Sequence, residues 1–282
     1  MIKFGPSGNS DSFYQRGYKS TEQVPEYLKE YNLDCFEYSF GRGVNMGDDK
    51  AIKIGESFKK AGLEISVHAP YFINFSNLDE TKIANSINYV LDSAKKAKLM
   101  GGKRVIFHPA SQGKLSREQA NSVMLENFKK LTAMIYANNL EDMIFCPETM
   151  GKIGQMGTPE EIAEICKIDK VYIPTIDFGH VNSRYQGSLK TTLDNLDMLQ
   201  MFINQLGYDK MKHFHAHFSK IQYSKGGEVR HLTFEDTVYG PEFEPVAIAL
   251  KQLKLEPYIL CESAGTQAED SQEMKNIYYN LK

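Results

Sequence analysis

Short apolar runs alternate with longer amphipathic runs eight times along this chain, and that alternation limits its possible folds more than any other feature. The strand-like runs are 2–4, 35–40, 65–68, 104–108, 143–147, 171–177, 213–218 and 257–261. The helix-like segments are 21–31, 48–61, 78–99, 116–138, 158–165, 191–206, 245–253 and 268–281. In each of these, apolar residues recur near i, i+3/i+4 and i+7, as in the stripe Ile83, Ile87, Val90, Leu91 and Ala94. Thr158 before Pro159, with Glu160 and Glu161 in the first turn, reads as a helix N-cap followed by a first-turn proline. Gly62 and Gly101-Gly102 stand where helix-terminating glycines belong. Strict β-α alternation predicts an α/β protein, a closed parallel (β/α)8 TIM barrel, with residues 1–282 as a single domain. An open doubly wound sheet is the alternative, but no GxGxxG turn follows the first strand. The longest non-helical insertions, 41–47, 180–190 and 219–245, all follow strands, which assigns them to the catalytic rim of a barrel.

The bulk properties exclude several classes. No run approaches the roughly 18–20 apolar residues of a membrane span, and the N-terminus lacks the long apolar segment of a signal peptide. Cys35, Cys146, Cys166 and Cys261 show no CxxC pairing, and three of them fall in strand-like runs. They read as buried free thiols in a reducing cytoplasm. A cytoplasmic monomer without a membrane partner is therefore expected. A net charge of −3 gives no overall basic signature for nucleic acid, although bound divalent ions would change the local field.

All seven histidines sit in or just after strand-like runs, and none in a helical stretch. Carboxylates punctuate similar runs, giving the series His68, His108, Glu148, Asp177 with His180, His213/His215/His217, His231 and Glu262. In a barrel, the C-terminal strand ends converge on one mouth. A single histidine at a strand end is ordinarily a hydrogen-bonded rim residue. Six such groups at six strand ends are hard to explain that way. Several carboxylates in one mouth would repel one another and be costly to desolvate, so a bound cation is the natural counter-charge. Imidazole mixed with carboxylate suits Zn²⁺, Mn²⁺ or Fe²⁺ and argues against a pure oxygen cage. In the run HFHAHF, period two puts His213, His215 and His217 on one face, with Phe214, Ala216 and Phe218 toward the helical layer. His215 is selected as the metal ligand. His213 is assigned to the inner layer, and His217 to substrate contact or to support of the ligands.

Local motifs then resemble a known family. VHAPYFINFSN (Val67–Asn77) is similar to the HAPYxxN signature of the endonuclease IV family of apurinic/apyrimidinic endonucleases. IFHPAS (Ile106–Ser111) resembles its HPG segment, PETMGKIGQMGT (Pro147–Thr158) its Glu-bearing loop, and TIDFGH (Thr175–His180) its DxxH. HAHFSK (His215–Lys220), Arg230-His231 and CES (Cys261–Ser263) occupy the places of its later motifs. The resemblance implies a zinc phosphodiesterase that cuts double-stranded DNA on the 5′ side of an abasic site. Carried over by position, Glu148 would be the catalytic, metal-bridging carboxylate. His68 and His108 would complete one site, Asp177, His215 and Glu262 a second, and His180 and His231 a third. Tyr71 and Phe72 match positions that meet DNA, and Arg42 is available in the loop after the second strand.

Departures are visible. Val229 stands where the family places an Asp two residues before its His, and the nearest acid is Glu228. The expected count is therefore two zinc ions, with a third depending on another acid. HPA replaces HPG, His217-Phe218 replaces an Asn-Asp pair, and the loop GRGVNMGDD differs from the family's recognition loop. A competing reading is a sugar isomerase or epimerase of the xylose-isomerase-like barrels, with one divalent ion at Glu148, Asp177, His215 and Glu262. That reading has no use for both His68 and His108. A barrel that binds metal or damaged nucleic acid without turnover is the non-enzymatic alternative.

Overall fold

Eight parallel strands close into a ring in a computed structural model that describes residues 1–281. They are β1 (Lys3–Pro6), β2 (Cys35–Ser39), β3 (Glu64–His68), β4 (Arg104–Phe107), β5 (Ile144–Pro147), β6 (Thr175–Asp177), β7 (His215–Phe218) and β8 (Tyr258–Cys261). Two four-stranded arcs, β1-β8-β7-β6 and β2-β3-β4-β5, carry the continuous ladders. Parallel bridges Ser7–Glu37 and Glu148–Thr175 join the arcs at both seams. The ring leaves no sheet edge exposed. The helices of the outer layer are α1 (Val24–Glu30), α2 (Asp48–Ala61), α3 (Glu80–Leu99), α4 (Arg117–Ala137), α5 (Pro159–Ile168), α6 (Thr192–Leu206), α7 (Phe243–Gln252) and α8 (Gln267–Asn280). This is the expected TIM barrel.

Local chemistry sets the boundaries. Thr158 caps α5: its hydroxyl accepts from the Glu161 amide, and the Glu161 carboxylate accepts from the Thr158 amide at 2.9 Å. Gly62 ends α2 in the left-handed region at φ 71°. The first helical segment begins as a 3-10 turn, Thr21–Gln23, before α1, with Pro25 in the first turn, where its missing N–H costs nothing. One expectation fails. His180 lies inside a short helix, Phe178–Arg184, started by Asp177, whose side chain accepts from the His180 amide at 2.7 Å.

Two layers of side chains alternate along the strands. Outward residues pack on the helices: Phe107 stacks on Phe128 with centroids 5.9 Å apart, and Phe75 lies 4.8 Å from Phe128. Phe218 meets Phe243 at 5.0 Å. Inward residues are unusually polar, with Glu37, His215 and His217 fully buried and Ser66 nearly so. All four cysteines are free and buried, as expected. No helix among the described residues is long and apolar enough to cross a membrane.

Phe128 packs on Phe107 of β4, on Phe75 and on Tyr172 and is fully buried. Phe128→Ala is expected to destabilise the fold by about 3–5 kcal/mol, read as a lower urea midpoint with an unchanged slope.

Candidate metal centre

Strand register decides which side chains reach the barrel mouth. Between β6 and β7, Thr175 pairs with His215 and Asp177 with His217. Between β7 and β8, Tyr258 pairs with His215 and Leu260 with His217, so Glu262 emerges just above His217. His217 therefore stands level with Asp177, and His215 lies two residues deeper. This geometry favours His217 at the mouth, whereas His215, selected from the sequence, groups with Glu37 and His217 deeper in the barrel. Glu148, Asp177, His217 and Glu262 bring one ligand atom each within 4.8 Å of one another, and His215 is not among them. His213 is half exposed at the opposite face, against Glu256, and reaches none of the groups.

Two further groups adjoin this one. His68 and His108, from the ends of β3 and β4, approach Oε2 of Glu148 at 3.2 and 3.4 Å. His180, Glu228 and His231 form the third group. Oε2 of Glu228, the acid nearest to the missing Asp, lies 3.5 Å from Nε2 of His180. It arrives on a hairpin, Ile221–Ser224 with Gly227–His231, that docks on the loop after β5. Gly151 makes that docking possible: a Cβ there would stand 2.7 Å from Cβ of Glu228. The loop is tied down by Arg184, whose guanidinium donates to the carbonyls of Met150, Lys152, Ile153 and Gln155.

The histidines are oriented by their second nitrogens. Nδ1 of His68 donates to the Ala69 carbonyl at 2.8 Å, and Nδ1 of His180 to the Thr149 carbonyl at 3.0 Å. Their Nε2 atoms are then left to face the carboxylates, the side that a metal would take once the proton there is lost. His217 is turned the other way, with Nδ1 3.1 Å from Oε1 of Glu148.

Charge is concentrated here. Burial disfavours ionisation of Glu148, yet the charge of His217 and hydrogen bonds from His108, His180 and His217 hold its carboxyl well below the usual range. Burial likewise opposes charge on His217, but Glu262, Glu37 and Glu148 outweigh it and hold the imidazole well above its ordinary value. Asp177 and Glu148 do the same for His180. Asp177 is pushed up to about 6, chiefly by burial, with Glu262 and Glu148 adding to the shift against the pull of His180. Oδ2 of Asp177 is buried without a hydrogen-bond partner. A buried orphan oxygen beside two more carboxylates and an imidazole fits a divalent cation, and the nitrogen and oxygen donors suit Zn²⁺, Mn²⁺ or Fe²⁺.

The mouth opens into a cavity of about 240 Å³ whose lining includes His68, His108, His180, Glu228, His231 and Glu262. Tyr71 also lines it. Phe72 does not, although its ring packs 4.4 Å from that of Tyr71 and both are about half exposed. Arg42 is exposed in the 41–47 loop and does not line the cavity. His217, expected as a possible substrate contact, is fully buried beneath the rim. Sequence reasoning missed Glu37, Lys152 and Ser219, the last of which holds Nδ1 of His231 at 2.8 Å. A charged residue in the middle of the apolar run 35–40 was the available signal for Glu37.

Two outcomes are expected. Because the neighbouring carboxylates favour the protonated forms of His180 and His217, a bound cation must displace protons from them. Metal uptake should release protons, and affinity should fall as pH falls. Calorimetry in buffers of different ionisation enthalpy measures the proton count. His217→Gln should lose one tightly bound ion by elemental analysis, whereas His215→Gln should keep the full complement.

Known proteins share this architecture. The family described as xylose isomerase-like TIM barrel matches residues 25–277. An uncharacterized protein of Methanocaldococcus jannaschii is 33% identical over 240 residues, covering 84% of this chain and 85% of that protein. A probable endonuclease 4 of Mycoplasmoides gallisepticum is 36% identical over 156 residues, covering 55% of this chain but only 44% of the relative. The solved structure of a D-tagatose 3-epimerase-like protein superposes with a TM-score of 0.72 at 21% identity, over 99% of this chain and 97% of that one, a likeness of fold. The chain belongs to the xylose isomerase-like TIM barrel family.

Proposed function

We propose that this chain is a metal-dependent phosphodiesterase that incises duplex DNA on the 5′ side of abasic sites through a multinuclear zinc centre. The observation that carries the reading is the position of Glu148. Its Oε2 faces Nε2 of His68 and His108, while its Oε1 faces Nδ1 of His217 at 3.1 Å, where the carboxylate groups with Asp177 and Glu262. Ligand groups gathered on both sides of one carboxylate are what bridging two cations requires. Glu228 with His180 and His231 supplies donors for a third, in place of the Asp that Val229 displaces. Divalent ions bound there supply Lewis acidity toward phosphate oxygens and make water a stronger acid.

The chain's own residues account for positioning. Glu148, braced from four sides, holds the donor groups at fixed separation. Tyr71 and Phe72 form an exposed aromatic pair beside the cavity, placed to stack against a base or fill the gap left by a missing one. Lys152 lines the same cavity and adds a positive charge where a phosphate would enter.

The runner-up is a sugar isomerase or epimerase with one divalent ion. The set Glu148, Asp177, His217 and Glu262 favours it, because it is a complete four-donor site by itself, with His217 replacing the His215 first assigned. In that chemistry two carboxylates move a proton at a sugar carbon. It leaves His68 and His108 without a task, which is why the phosphodiesterase reading is preferred.

Zinc-loaded protein is expected to incise a duplex carrying a single abasic site on its 5′ side. Chelator and Glu148→Gln should each abolish the incision, and rising salt should weaken it. One bound Mn²⁺ per chain, no incision and turnover of a ketose would replace this reading with the epimerase.

A further inference from the structure

Beneath the centre, inside the barrel, lies a carboxylate with no role in the chemistry described above. Glu37 on β2 is fully buried. Its Oε1 accepts from the Ser7 hydroxyl at 3.0 Å and lies 3.0 Å from Nε2 of His217. Its Oε2 accepts from the Ser66 hydroxyl at 3.2 Å and faces Nε2 of His215 at 2.9 Å. A carboxylate in a barrel interior is costly to desolvate, and an apolar side chain would serve packing better. Glu37, His215 and His217 are close enough to hold an ion themselves. Glu37 is nevertheless absent from the cavity lining, and each of its oxygens is already shared between a hydroxyl and an imidazole. It is built to act on its neighbours.

We propose that Glu37 is the positioning residue of the metal centre: it accepts Nε2–H of His217 and so presents the Nδ1 lone pair of His217 to the ion held with Glu148, Asp177 and Glu262. The contact is short but bent. Nε2 of His217 makes no well-aligned hydrogen bond, and Oε1 of Glu37, 3.0 Å away, is the acceptor that faces it. Nδ1 faces the opposite way, 3.1 Å from Glu148 and 3.5 Å from Glu262. His217 thus uses the nitrogen opposite to the one offered by His68 and His180, whose Nδ1 atoms are taken by carbonyls. His215 is the second brace: its ring meets that of His217 edge-on at 5.3 Å and steadies Glu37 from below. The deeper histidine of HFHAHF is therefore a support and the shallower one the ligand.

This inference rests on the metal-binding reading of the site, common to both proposed activities, and zinc titration separates the two. Wild-type protein that takes up no zinc would sink the site reading itself. If it binds zinc, Glu37→Gln should keep the same number of ions at saturation but hold them about 10–100-fold more weakly in chelator competition. Unchanged affinity in the folded variant would overturn the positioning role. Loss of a whole equivalent would also overturn it, by making Glu37 a ligand. Should Glu37→Gln fail to fold, wild-type protein answers the question alone. Long-range ¹H–¹⁵N correlation of the zinc-loaded, ¹⁵N-histidine-labelled protein should show a proton on Nε2 and zinc on Nδ1 of His217. Zinc on Nε2 would refute the proposal.

Discussion

Four imidazoles and two carboxylates converge on the single buried carboxylate of Glu148, and the mouth of the barrel is organised around it. A charge with that little solvent must be compensated by protein groups or bound ions. Compensation comes from every direction: β3 and β4 send His68 and His108, the short helix after β6 sends His180, and β7 sends His217. Removing one imidazole would leave the remaining carboxylates facing one another. This mutual dependence is why the strand ends, the loop after β5 and the docked hairpin behave as one unit.

The loops have a structural task as well as a chemical one. The segment from Thr149 to Gly157 carries no long element of its own, yet Arg184 takes four of its carbonyls and Glu161 takes the amides of Gly157 and Thr158. That rigid ledge receives the hairpin bearing Glu228 and His231. Its contact face is narrow enough that Gly151 and Gly227 are required: a Cβ on Gly227 would lie 2.1 Å from the Gly151 carbonyl, and its φ of 88° already disfavours other residues. The docked hairpin thereby brings Glu228 and His231 together with His180.

Much of this was legible in the residues. All eight strands and all eight outer helices fall where alternating periodicity predicts, because apolar periodicity and capping act locally. The Thr158–Pro159–Glu161 cap and the Gly62 terminator were readable for the same reason. The convergence of His68, His108, Glu148, Asp177 and Glu262 followed from one topological rule, that parallel strands deliver their C-terminal ends to one mouth. The short helix holding His180 was hidden because Asp177 both ends a strand and caps a helix. Glu37 was passed over because a lone acid in an apolar run shows neither its depth nor its partners.

The order of elements, the closed barrel and the kinds of ligand at the strand ends were determined by the sequence alone, through patterns that act within a few residues. Which histidine of HFHAHF reaches the mouth was decided only by tertiary structure. Period two places His215 and His217 on the same face and cannot rank them. The stagger of neighbouring strands in the closed sheet sets their heights, pairing His217 with Asp177 and sinking His215 to the level of Thr175. The same holds for Glu228: nothing in the spacing of the hairpin says that it lies against His180. That contact exists because a glycine ledge, 77 residues away in the chain (from Gly151 to Glu228), lets two backbones approach.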